Sequence, residues 1–324
     1  MFVARMGRTV QTCYKEFMSL SPSAPLVSIL INNYNYGRYV RSAIESALSQ
    51  TYQPVEVIVV DDGSTDNSRE IIESCRPDIT PVFKKNGGHG STFNAGFAAS
   101  SGDILCLLDA DDVFVKHKVE KIVTALQSQP ELEWCFNRVR IVDIETNQTL
   151  RMSKYAGTQV HDLRQKMRRG GLGFGAPPTS GLSFKRSLWQ QFFPIPEAAH
   201  TLISDRYLIY ASFALAKGIF LDEPLTDLRI HGANDLTNQT GKQDLKAKKD
   251  LYTAKAMREH LPLLRSSANT LFARGLSIYR AKQVKDDMFE ELIRTFWATS
   301  TPLEKLYIRS LGLLQTAKRS AGQQ

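Results

Sequence analysis

The sequence predicts an α/β fold: a mostly parallel sheet with helices on both faces, followed by a helical C-terminal region. Three observations predict it. Strand-like and helix-like segments alternate from residue 27 to residue 128. The strand-like runs are apolar at nearly every position, as strands buried on both faces must be. Four polar loops, at 33–35, 61–62, 86–90 and 109–112, follow four successive runs, and open parallel sheets bind ligands at the carboxyl ends of their strands.

The elements follow in order. Residues 1–24 lack periodicity and read as an extension ending near Pro22 and Pro25. Residues 27–31 are β-rich, and a turn-rich Asn-Asn-Tyr-Asn-Tyr-Gly leads into a helix with Tyr39, Val40, Ala43, Ile44, Ala47 and Leu48 on one face. A second strand, 55–60, ends at Asp61-Asp62-Gly63-Ser64-Thr65-Asp66, which holds turn formers and N-cap candidates for a helix reaching Cys75. A third strand at 81–84 is followed by a glycine turn and a small-residue helix, 91–100. The run 104–108 is a fourth strand ending at Asp109, and a helix is expected over 116–128.

Farther on, 134–142 reads as a strand. Residues 151–176 are polar, basic and then glycine-rich, and are expected to form a mobile loop over the site. Residues 177–181 lead into a short strand and a helix from Lys185. Asp205 opens a helical segment, 206–217, and two strands are expected at 219–221 and 225–230. From Lys242 the pattern is helical. It includes an apolar stripe of Leu303, Leu306, Tyr307, Leu311 and Leu314, with Lys305, Arg309 and Lys318 outside it. The expected organisation is an extension (1–24), an α/β domain (25–241) and a basic helical region (242–324).

Charge supports that division. Residues 1–241 hold 25 Lys and Arg against 25 Asp and Glu; residues 242–324 hold 16 against 8, so the whole net charge of +8 lies in the last part. A basic tail suits anionic lipid, nucleic acid or an acidic partner, or is simply a solvated helical face. Four cysteines are scattered without a CxxC pair. Cys106 and Cys135 lie in apolar runs and read as reduced core residues, which points to a reducing compartment. No apolar run approaches the roughly 18 residues of a membrane span, and no secretory signal is evident.

The chemistry concentrates at Leu107-Leu108-Asp109-Ala110-Asp111-Asp112. Three carboxylates within four residues at a buried strand end are costly unless a cation sits among them. A hard divalent ion that shares oxygen ligands with substrate phosphates fits. A polar turn capping the following helix is the other reading.

Taken together, Val27-Ser28-Ile29-Leu30-Ile31-Asn32-Asn33-Tyr34-Asn35, Val59-Val60-Asp61-Asp62-Gly63-Ser64-Thr65-Asp66 and Leu107-Leu108-Asp109-Ala110-Asp111-Asp112 resemble the family 2 inverting glycosyltransferases of GT-A fold. The resemblance runs from Leu26 to about Asp235. It implies that Asn33, Tyr34 and Asn35 hold the nucleoside, with the Tyr34 ring facing the base. It implies that Asp61, with Asp62 beside it, accepts from base or ribose, although N-capping is the other reading for both. Asn86, Gly88 and Asn94 would shape the floor under ribose and diphosphate. Asp109, Ala110 and Asp111 form the DXD motif, with Asp109 and Asp111 on Mg²⁺ or Mn²⁺. The family carries a Glu-Asp pair whose second member is the general base; here the pair is Ser204-Asp205, which implies Asp205. Arg229-Ile230-His231 matches an Arg-x-His segment that brings His231 to the metal or diphosphate and Arg229 near the same charge. Ser180 and Gly181 would line the acceptor side.

The implied reaction is metal-dependent transfer from a nucleotide-diphospho sugar to a hydroxyl of a saccharide or lipid-linked acceptor, in polysaccharide, lipopolysaccharide or glycolipid assembly. The expected setting is cytoplasmic, with 242–324 contacting the inner membrane face or forming a homodimer, and with no nucleic-acid partner. Two departures stand out: Thr92-Phe93-Asn94 lacks the family's arginine, and Ser204 replaces its glutamate. A nucleotidyltransferase is the runner-up enzyme, but 32–35 lacks the basic glycine loop it would need. A non-catalytic protein of the same fold is kept open by Ser204.

Overall fold

The structure is a computed structural model that describes residues 24–152, 157–197, 204–231, 242–281 and 286–321. The N-terminal extension, apart from its last residue, and residues 232–235 at the far end of the resemblance lie outside the described residues, as does the side chain of Ser204.

The first half alternates strand and helix. Strands β1 (Val27–Asn33), β2 (Val55–Asp61), β3 (Thr80–Phe83) and β4 (Ile104–Asp109) pair in parallel in the order β3-β2-β1-β4. Between them run α1 (Gly37–Leu48), α2 (Ser68–Glu73) and α3 (His89–Ala99), and after β4 come β5 (Val113–Phe114) and α4 (Lys118–Ser128). The two faces of these strands explain their unbroken apolar runs. Ile29, Ile31, Val57, Val59, Cys106 and Leu108 belong to one buried cluster, under α1 and α4, whereas Leu30, Ile58, Val60, Leu105 and Leu107 belong to the other. Leu48 is exposed at the end of α1 rather than on its buried face.

The sheet continues through β9 (Leu182–Lys185), β6 (Leu132–Asp143) and β10 (Lys217–Ile230) to β5. β9 runs antiparallel between β4 and β6, and β6 and β10 are parallel, so the sheet is mixed but mostly parallel. The two strands expected at 219–221 and 225–230 are one. Pro224, which has no N–H to give the ladder, is absorbed by register shifts on both sides of it.

The segment expected to be a mobile loop is built into the fold. β7 (Thr149–Met152) pairs with β6, β8 (Gln159–His161) pairs with β10, and α5 (Arg164–Arg168) buries Met167. One of its glycines serves close approach: Gly173 has φ +71°, and a Cβ there would fall 2.6 Å from the Phe213 ring. Residues 153–156 lie outside the described residues.

After the short α6 (Arg186–Trp189), helix α7 (Ser204–Leu215) precedes β10. The C-terminal region then forms α8 (Lys242–His260), α9 (Arg265–Arg280), α10 (Asp287–Ala298) and α11 (Pro302–Ala321). Thr301 and Glu304 form a reciprocal cap at the start of α11, with Pro302 at the first helical position. These helices do not sit apart. Leu251, Met257, Leu271, Phe272, Phe296 and Ile308 share one apolar cluster with Trp189, Tyr207 and Phe213 of the α/β half.

Candidate active site

The parallel register places the four polar loops along one edge. Asn33 lies opposite Asp61 across β1 and β2, and Asn32 opposite Asp109 across β1 and β4. The Asn33 amide donates to Asp61 Oδ1 at 2.7 Å, and Ser64 Oγ donates to the same oxygen at 2.5 Å. Asn35 sits at φ +57° and binds the neighbouring loop, its Oδ1 accepting from Thr65 N at 2.7 Å. Tyr34 between them is 46% exposed, an open ring face at the strand edge. Asp62 is buried and holds the glycine turn: its oxygens accept from Gly87 N, Gly88 N and Lys84 Nζ. Gly88, at φ +82°, precedes α3, and Asn86 is exposed beside it. Asn94 faces elsewhere; its amide is taken by the backbone of Ile195 and by Glu197.

At the end of β4 two imidazoles meet two carboxylates. His89 Nε2 lies 3.1 Å from Asp109 Oδ1 and 3.2 Å from Asn32 Nδ2. His231 Nε2 lies 3.3 Å from Asp111 Oδ2, its ring stacked on Tyr39 at 4.1 Å. The two histidines are set apart by their surroundings. Burial pulls His89 down, but the hydrogen bond and charge of Asp109, with Asp205 adding, leave it above its ordinary value. Burial, then Arg229 and Arg38, hold His231 below its own, and the neutral imidazole is the form that ligates a metal.

The third carboxylate, Asp112, is turned under the site. Burial first, then Asp111 and Asp109, push it well above the usual carboxylate range. Ser180 Oγ donates to it at 2.6 Å and accepts from Asp109 N at 3.0 Å. Ser180 and Gly181 are therefore buried beneath the carboxylates and brace β4, rather than lining an open acceptor surface. The turn does not cap α4: His117 stands at its N-cap with no side-chain bond. Ala110 is fully buried, its N–H on Asn32 O. Arg229 grips the same turn from the side, giving Nε to Asp111 O at 2.5 Å and its backbone N to Asp112 Oδ1 at 3.1 Å.

Below lies a lysine that no sequence pattern singled out. Lys118 is fully buried, its Nζ on Ser180 O at 2.6 Å and Thr226 Oγ1 at 3.0 Å. Burial, opposed by the Cys106 and Cys135 thiols and by Asp112, pulls it down to about 7. His89 was also missed, although its place in a glycine turn at a strand end was a signal.

Asp205 stands in the first turn of α7, close enough for its charge to act on His89. Lys249 of α8 acts on the same ring in the opposite sense, so the C-terminal region reaches the site. The next residue, Arg206, donates through Nη1 to Asp250 of α8, a fully buried carboxylate that also accepts from Arg274 Nε at 2.7 Å and Nη2 at 2.9 Å.

Among the described residues, no three His, Cys, Asp or Glu side chains form a ready-made metal cage. A cation that shares its shell with substrate phosphates needs only one or two protein carboxylates. Asp109 and Asp111 suit Mg²⁺ or Mn²⁺ in that role, His231 adjoins them, and the side-chain oxygen of Asn32 is buried at the same edge without a hydrogen-bond partner. The residues fit such an ion.

The model of the family described as glycosyl transferase family 2 matches residues 28–189. An uncharacterized glycosyltransferase of Nostoc sp. is 34% identical over 283 residues, 85% of this chain and 87% of that one. The chain belongs to glycosyltransferase family 2. This family 2 glycosyltransferase is also 41% identical over 115 residues to an uncharacterized glycosyltransferase of Rickettsia prowazekii, an alignment covering 35% of this chain and 36% of the relative. Among solved structures it is similar to S. aureus TarS 1–349 in complex with UDP-GlcNAc, with a TM-score of 0.62 over 90% of this chain and 89% of that one, at 16% identity. That likeness shows the GT-A fold. Membership decides for a glycosyltransferase acting on nucleotide sugars, over a nucleotidyltransferase or a non-catalytic protein.

Proposed function

We propose that this glycosyltransferase is inverting and metal-dependent, moving a sugar from a nucleotide-diphospho donor to an acceptor hydroxyl in envelope polysaccharide, lipopolysaccharide or glycolipid assembly. The observation that carries the reading is the placing of His89 against Asp109 at 3.1 Å, with Asp205 near enough for its charge to act on the same ring, from elements about a hundred residues apart in sequence. Tyr34 offers its ring face to the base, and Asp61, oriented by Asn33 and Ser64, accepts from base or ribose. Asp109, Asp111 and His231 would hold the Mg²⁺ or Mn²⁺, which when bound neutralises the departing diphosphate. Asp205 takes the proton from the acceptor hydroxyl as that oxygen attacks the anomeric carbon opposite the diphosphate. A single displacement of this kind inverts the anomeric configuration.

The test is a thermal-shift screen of UDP-, GDP- and dTDP-sugars with and without Mn²⁺ or Mg²⁺, UDP-GlcNAc first, followed by NMR of the product linkage. Binding to the native state at a hundredfold excess over Kd stabilises by about 2.7 kcal/mol. A donor that needs no metal, or a product of retained configuration, would overturn the reading.

A further inference from the structure

Helix α11 has two apolar arcs. Ile308 is buried and Leu311 packs against the core. Leu303, Leu306, Leu313 and Leu314 point the other way and are 80%, 67%, 73% and 59% exposed, with Tyr307 at their margin. At 100° per residue these five side chains span about a third of the helix circumference. Large apolar side chains gathered on one exposed face mark an interaction site.

The charges around this arc say what it meets. Glu304 is the only acid between Pro302 and Gln315, and it is turned inward onto Arg258 and Arg265. Arg309 is exposed on one flank. On the other flank lies the end of α5, distant in sequence. A Cβ on Gly170 would stand 3.4 Å from Tyr307 Oη, which sets the turn after α5 beside the arc. Lys166, Arg168 and Arg169 of that corner are all exposed. A two-fold dimer through this face would lay the patch on itself and bring those bases against their copies. An anionic surface takes both features at once.

We infer that the outward arc of α11 and the basic corner after α5 form a docking surface for an anionic lipid bilayer. The leucines enter the acyl boundary, and Lys166, Arg168, Arg169 and Arg309 meet the headgroups. Among the described residues no helix is long and apolar enough to cross a membrane; the arc lies along the side of α11, so this contact is lateral. The inference holds whichever sugar is transferred.

Flotation of the full chain with vesicles tests it, using phosphatidylcholine alone or mixed with phosphatidylglycerol. The expected result is flotation on the mixed vesicles at low salt and release at high salt. Arg168→Glu with Arg169→Glu leaves the arc intact and should lower partition by at least about fivefold per residue. Leu306→Ser with Leu313→Ser should abolish flotation without moving the thermal midpoint, since both side chains are exposed. A wild-type chain that stays soluble on anionic vesicles at low salt overturns the inference. So does equal flotation of either variant. A solution mass of two chains that falls to one in the leucine variant would assign the arc to a dimer instead.

Discussion

Arg206 and Asp250 join the helix that carries Asp205 to the first C-terminal helix. The carboxylate is fully buried and shared with Arg274, so one acidic group pairs with two arginines from different elements. Asp250→Ala should cost more than the roughly 1 kcal/mol of an exposed pair but less than the roughly 3–5 kcal/mol of a fully buried one, because it leaves two arginines unpaired that are 25% and 30% exposed. Urea unfolding measures it; a loss below about 1 kcal/mol would show that solvent alone satisfies the arginines.

Asp205→Asn should lower turnover by about 10²–10⁴-fold, the usual contribution of a general base. The donor Kd should barely change, since the carboxylate serves the acceptor. Calorimetric donor titration beside a transfer assay separates the two, and near-normal transfer would move the base elsewhere.

Asp111→Asn should abolish metal-dependent nucleotide binding while stability holds or rises. Asp111 is among the charges that push Asp112 up, so its removal relieves crowding at the end of β4. Thermal unfolding without ligand, and titration of Mn²⁺ with nucleotide, check both halves of this expectation.

Arg265 holds the Glu304 carboxyl far below its ordinary value of 4.5, against burial and with help from Arg258, Thr301 N and Asn269. A depressed folded-state pKa gives stability that is present above the unfolded value and lost as pH falls through the folded one. Stability should therefore decline below about pH 4.5, and Glu304→Gln should flatten that part of the curve. Urea midpoints of both proteins across pH 3–6 decide it; parallel curves would assign the acid loss to other groups.

What was legible in the sequence was the parallel half of the sheet with its polar loops. β1, β2 and β4 are apolar on both faces and end in Asn, Asp and Asp, so strand and loop announce each other. Less legible was anything set by a partner distant in sequence. Lys118 reads as a helix-surface lysine until Ser180 and Thr226 close over it. Asn94 carries no mark of its bond to Ile195. Periodicity found an apolar stripe on α11 but could not say which arc faces the protein; Ile308 and Leu311 do, and the remaining leucines do not. The glycines of 170–173 suggest mobility by composition, yet Gly173 is there because the Phe213 ring leaves no room for a Cβ.

The family match stops at residue 189, inside an apolar cluster that runs on to Ile308. Exchange of the part beyond residue 189 is constrained by that fact. A hybrid joined at residue 241 would press α8 and α9 against a stranger's α7, and interiors packed as tightly as crystals rarely accept an unmatched surface. Helices α7 to α11 close the same apolar core as the matched segment, so the unit that must fold together is larger than the segment by which the family is recognised.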